Sequence, residues 1–137
     1  MEKIIWNDQF SVGVKKMEVQ HQKIIRIFNT LVDNAQANAG SETVSKMLAE
    51  MVEYASEHFK CEEQLLRDHA HPDLEQQKAG HSEFRRRAGE LCQIALNEEE
   101  EVTQDLINFL HDWWTNHILH KDKKYAEFFE EKRNMSS

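Results

Sequence analysis

Residues 57–63 read Glu57-His58-Phe59-Lys60-Cys61-Glu62-Glu63. If this segment is helical, the four-residue step from His58 to Glu62 stacks two ionisable side chains one turn apart. Its neighbours say that it is. Val44, Leu48, Met51, Val52, Ala55, Phe59, Leu65 and Leu66 recur at three- and four-residue steps, the period of an amphipathic helix. At about 100° per residue, His58 and Glu62 fall inside the arc marked by Val44, Met51, Ala55 and Leu65, so both point to the apolar side. A histidine and a carboxylate in a core need a partner.

The same step continues on both sides. Ile24, Ile25, Phe28, Leu31, Val32 and Ala35 mark an earlier helix from about Glu18 to Ala39-Gly40, where the glycine suits a left-handed cap. Ser41 is a good N-cap for the helix that holds His58, which is expected to run to about His69. His71-Pro72-Asp73 interrupts the pattern, because proline disfavours helix at the residue before it; Asp73 with Gln76 resembles a capping box. Leu74, Phe84, Ala88, Leu91, Cys92, Ala95 and Leu96 mark a third helix, and Leu106, Phe109, Leu110, Trp113 and Trp114 a fourth. Between them the acidic run Glu98 to Glu101 reads as a solvated loop. A short last helix is expected around Tyr125, Phe128 and Phe129, and the first sixteen or so residues read as an arm laid over the rest. The expected fold is all-α: an up-down-up-down four-helix bundle with an N-terminal arm and a short C-terminal helix.

Composition agrees with that reading. Four glycines, one proline and 31% charged residues suit a helical bundle better than a sheet. A chain of 137 residues is expected to close one core, as one domain over 1–137. The formal charge of −8, with no basic stripe, argues against a nucleic-acid partner and an anionic membrane surface. No apolar stretch approaches the roughly 18–20 residues that span a bilayer, and the first residues lack the apolar run of a signal peptide; a cytoplasmic protein is expected. Cys61 and Cys92 lie inside helical patterns and read as reduced, buried fillers, and Trp113 and Trp114 as core and boundary packing. Glu63 and Arg67 read as an exposed pair worth a few tenths of a kcal/mol.

Other polar residues share the apolar stripes. His21 lies in line with Ile25, Phe28 and Val32; Gln77 and His81 with Leu74, Phe84, Ala88 and Cys92; His117 with Leu106, Leu110 and Trp113. One such histidine is more often a satisfied core residue than a ligand. Four on four helices, with a glutamate, are different, because a buried carboxylate without compensation costs several kcal/mol. A metal compensates all of them together. Nitrogen and carboxylate donors without clustered thiolates favour iron or manganese over structural zinc. Two divalent ions need a further carboxylate, and Asp122 is the candidate. Five residues after His117, it lies about 140° round a regular helix, so the helix must loosen near Leu119 to Lys121 for Asp122 to turn inward.

These residues carry a family resemblance. Trp6 to Val14 (WNDQFSVGV) is similar to the entry arm of bacterial hemerythrin-domain proteins, and Val19 to Lys23 (VQHQK) to their first-histidine motif. His58 to Glu63 (HFKCEE) resembles H-F-x-x-E-E, and Trp113 to Asp122 (WWTNHILHKD) resembles W-x-x-x-H-I-x-x-x-D. The resemblance implies a non-haem centre of two iron ions with an oxo or hydroxo bridge. Glu62 and Asp122 would bridge, His21 and His58 would bind the iron with an open position for dioxygen, and His81 and His117 the other iron. The family places a third histidine four residues before His81, and here that position is Gln77. An amide carbonyl is a weaker, harder donor than imidazole, so this iron is expected to bind less tightly, take a water or stay five-coordinate; otherwise the amide only hydrogen-bonds a water. His69, His71 and His120 are the nearby alternatives, with His120, one turn after His117, the first to check.

The resemblance implies oxygen carriage, storage or sensing, with dioxygen or peroxide as ligand and an electron donor that it does not identify. Two rival readings remain: a peroxidase-like or redox enzyme marked by Gln77, and a helical interaction module without metal.

Overall fold

The computed structural model describes the backbone of residues 3–37, 41–97 and 100–136. A short 3-10 turn, Asp8–Phe10, precedes α1 (Lys15–Gln36), α2 (Ser41–Asp68), α3 (Leu74–Asn97) and α4 (Glu100–Asn116). A π-helical segment, His117–Asp122, then leads without a break into α5 (Lys123–Ser136). Each long helix packs on its neighbours in sequence and α4 returns to α1, which closes the four-helix bundle. The described residues include no strand, and no described helix is long and apolar enough to cross a membrane.

Some boundaries differ from expectation. Helix α1 begins three residues before Glu18, at Lys15, because the backbone carbonyl of Val14 already accepts from the Glu18 N–H. The expected Ala39-Gly40 cap lies outside the described residues. Half of the acidic run expected as a loop, Glu100 and Glu101, is helix; Glu98 and Glu99 are not described. The last helix is longer than expected because the π segment carries α4 directly into it.

Helix α2 ends on a Schellman-type reversal. His71 N donates to Leu66 O (2.9 Å) and Ala70 N to Arg67 O (3.1 Å), with Ala70 in the left-handed region at φ 50°. That conformation usually belongs to glycine. The turn continues with Asp73 N donating to His71 Nδ1 at 3.0 Å.

The arm is fastened at three points. Asn29 accepts from Ile4 N and donates to Ile4 O, both at 2.9 Å. The Glu18 carboxylate accepts from Ser11 Oγ and from the N–H groups of Val12 and Gly13. Lys123 Nζ donates to Ser11 O at 2.7 Å, which ties the arm to α5.

The buried apolar side chains form two clusters. The larger runs from Ile24, Phe28 and Leu31 of α1 through Phe59, Phe84 and Leu110 to Trp114 and Ile118. The smaller holds Val12, Met17, Leu66, Tyr125 and Phe129. On every long helix the inward histidine falls between the two: His21 between Met17 and Ile24, His58 just before Phe59 with Leu66 beyond, His81 before Phe84, His117 after Trp114. A polar layer therefore crosses the bundle between two oily ones.

Candidate metal centre

Each wall of the bundle delivers one histidine to this layer: His21 from α1, His58 from α2, His81 from α3 and His117 from the start of the π segment that continues α4. Glu62 and Asp122 stand among them, and each divides its two oxygens between two histidine pairs. On one side, His21 Nε2 lies 3.1 Å from Asp122 Oδ2 and 3.4 Å from Glu62 Oε2, and His58 Nε2 lies 3.3 Å from Glu62 Oε2. On the other, His81 Nε2 is 2.9 Å from Glu62 Oε1, while His117 Nε2 is 3.4 Å from that oxygen and 3.2 Å from Asp122 Oδ1. Asp122 reaches the layer because the π segment reduces the rotation per residue, as the sequence requires of Leu119 to Lys121. It is fully buried.

The donor geometry fits cations. Adjacent donors round one six-coordinate ion with bonds of about 2.1 Å stand about 3 Å apart, and the nitrogen–oxygen spacings in each half match that. Second partners fix two of the rings: His58 Nδ1 donates to Gln20 Oε1 (2.6 Å) and His81 Nδ1 to Glu63 Oε2 (2.7 Å). In the neutral rings this turns the Nε2 lone pairs toward carboxylate oxygens, a repulsive arrangement unless a cation or a proton intervenes. His21 Nε2, His58 Nε2 and Asp122 Oδ2 are buried without a hydrogen-bond partner, a condition native interiors seldom leave. Neither group of converging donors contains a cysteine.

Without a metal, protons take over part of that role. Burial opposes charge on His21, yet Asp122 and Glu62 hold its pKa up from 6.5 to about 9. On His117 burial also opposes charge, yet Asp122 and Glu62 raise its pKa to about 10. On His58 burial prevails over the pull of Glu62, and its pKa is lowered. Burial pushes the Glu62 and Asp122 carboxyls up, but the facing imidazoles bring both below the usual carboxylate value. The pocket thus prefers ionised carboxylates with positive charge between them.

Comparison with known proteins agrees. The family profile described as the hemerythrin HHE cation binding domain matches residues 12–129. The chain belongs to the hemerythrin family. It is 32% identical to the bacteriohemerythrin of Methylococcus capsulatus over 118 residues, covering 86% of this chain and 89% of that one. With the bacteriohemerythrin of Stenotrophomonas maltophilia the identity is 29% over 127 residues, 93% and 82% of the two chains. A solved wild-type hemerythrin superposes with a TM-score of 0.82 at 30% identity, over 90% of this chain and 95% of that one.

This hemerythrin differs from the expected pattern at Gln77, and the structure gives that residue a definite posture. Its Nε2 donates to Asp122 Oδ1 at 3.0 Å, whereas its Oε1 is buried without a partner. Turning the amide to offer Oε1 inward would set it against the Asp122 oxygen, so the nitrogen-inward pose is the favoured one. None of the three alternative histidines near Gln77 joins the layer. His120 is exposed on the rim of a cleft beside Gln77. His71 is buried, but its Nδ1 accepts from Asp73 and its ring edge meets Phe128 at 4.6 Å. His69 packs on Phe129 at 4.7 Å.

Three contributors to the site escape sequence reasoning. Glu63, expected to pair with Arg67 on the surface, instead turns to His81, because the inward ring offers its Nδ1–H at the edge of the core. Gln20 holds His58. Tyr125, fully buried on α5, donates from Oη to Glu62 Oε2 at 3.0 Å. Glu63 and Gln20 each adjoin a site residue in sequence; Tyr125 carries no such signal. Aromatic rings complete the walls: Phe59 stacks on His81 with centroids 4.0 Å apart, and Trp113 on His117 at 4.4 Å. Trp114 is fully buried as packing, whereas Cys61 and Cys92 are half-buried free thiols rather than full core fillers.

Proposed function

We propose that the chain, as one domain over 1–137, holds two iron ions and binds dioxygen reversibly for carriage, storage or sensing. His21 and His58 would hold one ion and His81 and His117 the other, with Glu62 and Asp122 shared between them. The observation that carries this reading is the division of both carboxylates between two histidine pairs, each at the spacing of donors round one ion. Such an iron pair, when bound, would supply reversible redox chemistry toward dioxygen.

The protein's own groups prepare the rest. Gln20 and Glu63 hold the His58 and His81 rings with Nε2 inward. Tyr125 holds one oxygen of Glu62 by a neutral donor, so the carboxylate stays in place without a further charge. The apolar layers above and below cover the site along the bundle axis. His21 is 0% and His58 1% exposed, so the end expected to receive dioxygen is sealed from bulk solvent, which suppresses proton delivery and hence irreversible oxidation. An electron donor that resets the ferric form completes the requirement.

The test is elemental analysis with optical spectroscopy on one preparation. Two irons per chain are expected, with visible bands that rise when the reduced protein meets air and vanish on deoxygenation. Absence of iron, or bands that never reverse, refutes the carrier reading. Peroxide turnover is the second reading, favoured by the open cleft beside Gln77 and His117. Steady-state peroxidase assays on the wild type and Gln77→His separate the two, since restoring the histidine suppresses turnover only under the second.

A further inference from the structure

Counted by converging donors, the two halves of the cluster differ: His21, His58, Glu62 and Asp122 meet in one, and only Glu62, His81 and His117 in the other. Their surroundings differ too. The half with His21 and His58 is closed, whereas Gln77 is 4% and His117 5% exposed, and both line a cleft of about 520 Å³ between α3 and α4. Trp113 forms an apolar wall there, Asn116 and Lys121 lie at its polar side, and Gly80 leaves the floor open, since a Cβ at that position would meet nothing within 4 Å. A cleft of this size holds many waters at about 30 Å³ each, and it brings them up to the edges of Gln77 and His117, which line its wall.

Gln77 adds no donor to the half it adjoins. Its Nε2 is committed to Asp122, and its Oε1 is buried without a partner. We propose that the His81–His117 half is a second ligand-binding position, reached through this cleft and open to small anions, in addition to the sealed position at His21 and His58. The inference rests on the di-iron reading. Anions are the class selected because two carboxylates would leave a ferric pair cationic; the cleft itself carries one charge of each sign, Lys121 and Asp112.

The experiment is an azide titration of the iron-loaded ferric protein, read by equilibrium dialysis and charge-transfer absorbance, with iron measured on the same samples. Two azides per two irons are expected for the wild type and one for Gln77→His, in which an imidazole takes the open position. Gly80→Phe fills the cleft without touching a donor, and is expected to slow uptake of one equivalent while the other is unchanged. One azide in the wild type, or two in Gln77→His together with unaltered uptake in Gly80→Phe, overturns the inference and leaves the di-iron reading standing. Absence of iron overturns the di-iron reading, and the inference with it.

Discussion

Replacing Tyr125 by phenylalanine removes one oxygen and nothing else from a fully buried ring. That oxygen donates to Glu62 Oε2 at 3.0 Å, and the same carboxylate oxygen otherwise faces only His21 at 3.4 Å and His58 at 3.3 Å among the described side chains. A buried hydrogen bond to a charged acceptor contributes about 1.5–3 kcal/mol, and a carboxylate left short of a donor forfeits that whole amount. For a chain of this size the loss corresponds to a fall in Tm of about 5–10 °C. The effect on metal is separable from it. Partners that orient a ligand are worth about 10–100-fold in metal affinity, so Tyr125→Phe is expected to lose iron to a chelator faster by about that factor. Denaturant unfolding of the metal-free protein and chelator competition on the loaded protein give the two numbers. Tyr54→Phe is the control: Tyr54 is only partly buried, has Lys23 over its ring at 4.4 Å, and should change stability by less than about 0.5 kcal/mol. If Tyr125→Phe matches that control in both assays, the hydrogen bond does not support Glu62 and the reasoning fails.

Ala70→Gly relieves the left-handed residue that ends α2 and is expected to raise stability by about 0.5–1 kcal/mol, read as a higher denaturant midpoint at unchanged slope. Glu63→Ala takes the acceptor from His81 Nδ1 and should weaken retention of one of the two irons by about tenfold or more while the helix content by circular dichroism stays the same. The pH dependence follows from His21 and His117, whose folded pKa values near 9 and 10 stand above the ordinary 6.5. Their contribution to the metal-free chain is complete below about pH 6.5 and disappears as pH climbs through 9 to 10, so the metal-free protein should lose stability on that alkaline limb. Loading at pH 7.5 should release about two protons per chain, measurable by calorimetry in buffers of different ionisation enthalpy; release of none would contradict the assignment.

The two-cluster core explains why the centre sits where it does. An apolar bundle accommodates a transverse polar layer only if every atom in that layer is matched, and here the layer is supported by apolar packing on both sides. Phe59 belongs to the larger cluster and also stacks on His81. Leu66, one turn beyond Glu62 on α2, belongs to the smaller cluster together with Tyr125. Side chains that seal the bundle thus also fix the angles of the ligands, which links the packing of the fold directly to the rigidity of the site.

What the sequence determined by itself is whatever depends on position round a single helix. The arcs of Leu48, Ala55 and Phe59, and the equivalent arcs on the other helices, already turn His21, His58, Glu62, Gln77, His81 and His117 inward. The five-residue step to Asp122 already demands the widened turn seen at His117–Asp122. These are angular facts, readable from a local period. Which histidines share a half is not such a fact, because it depends on the axial stagger and crossing of different helices; the sequence anticipated it only through its family resemblance. The tertiary structure alone decided that Glu63 holds His81 rather than Arg67, that Tyr125 reaches Glu62 from sixty-three residues away, and that a cleft opens beside Gln77. A periodic pattern specifies which side of a helix is buried; it does not specify which side chain of another helix will be there to meet it.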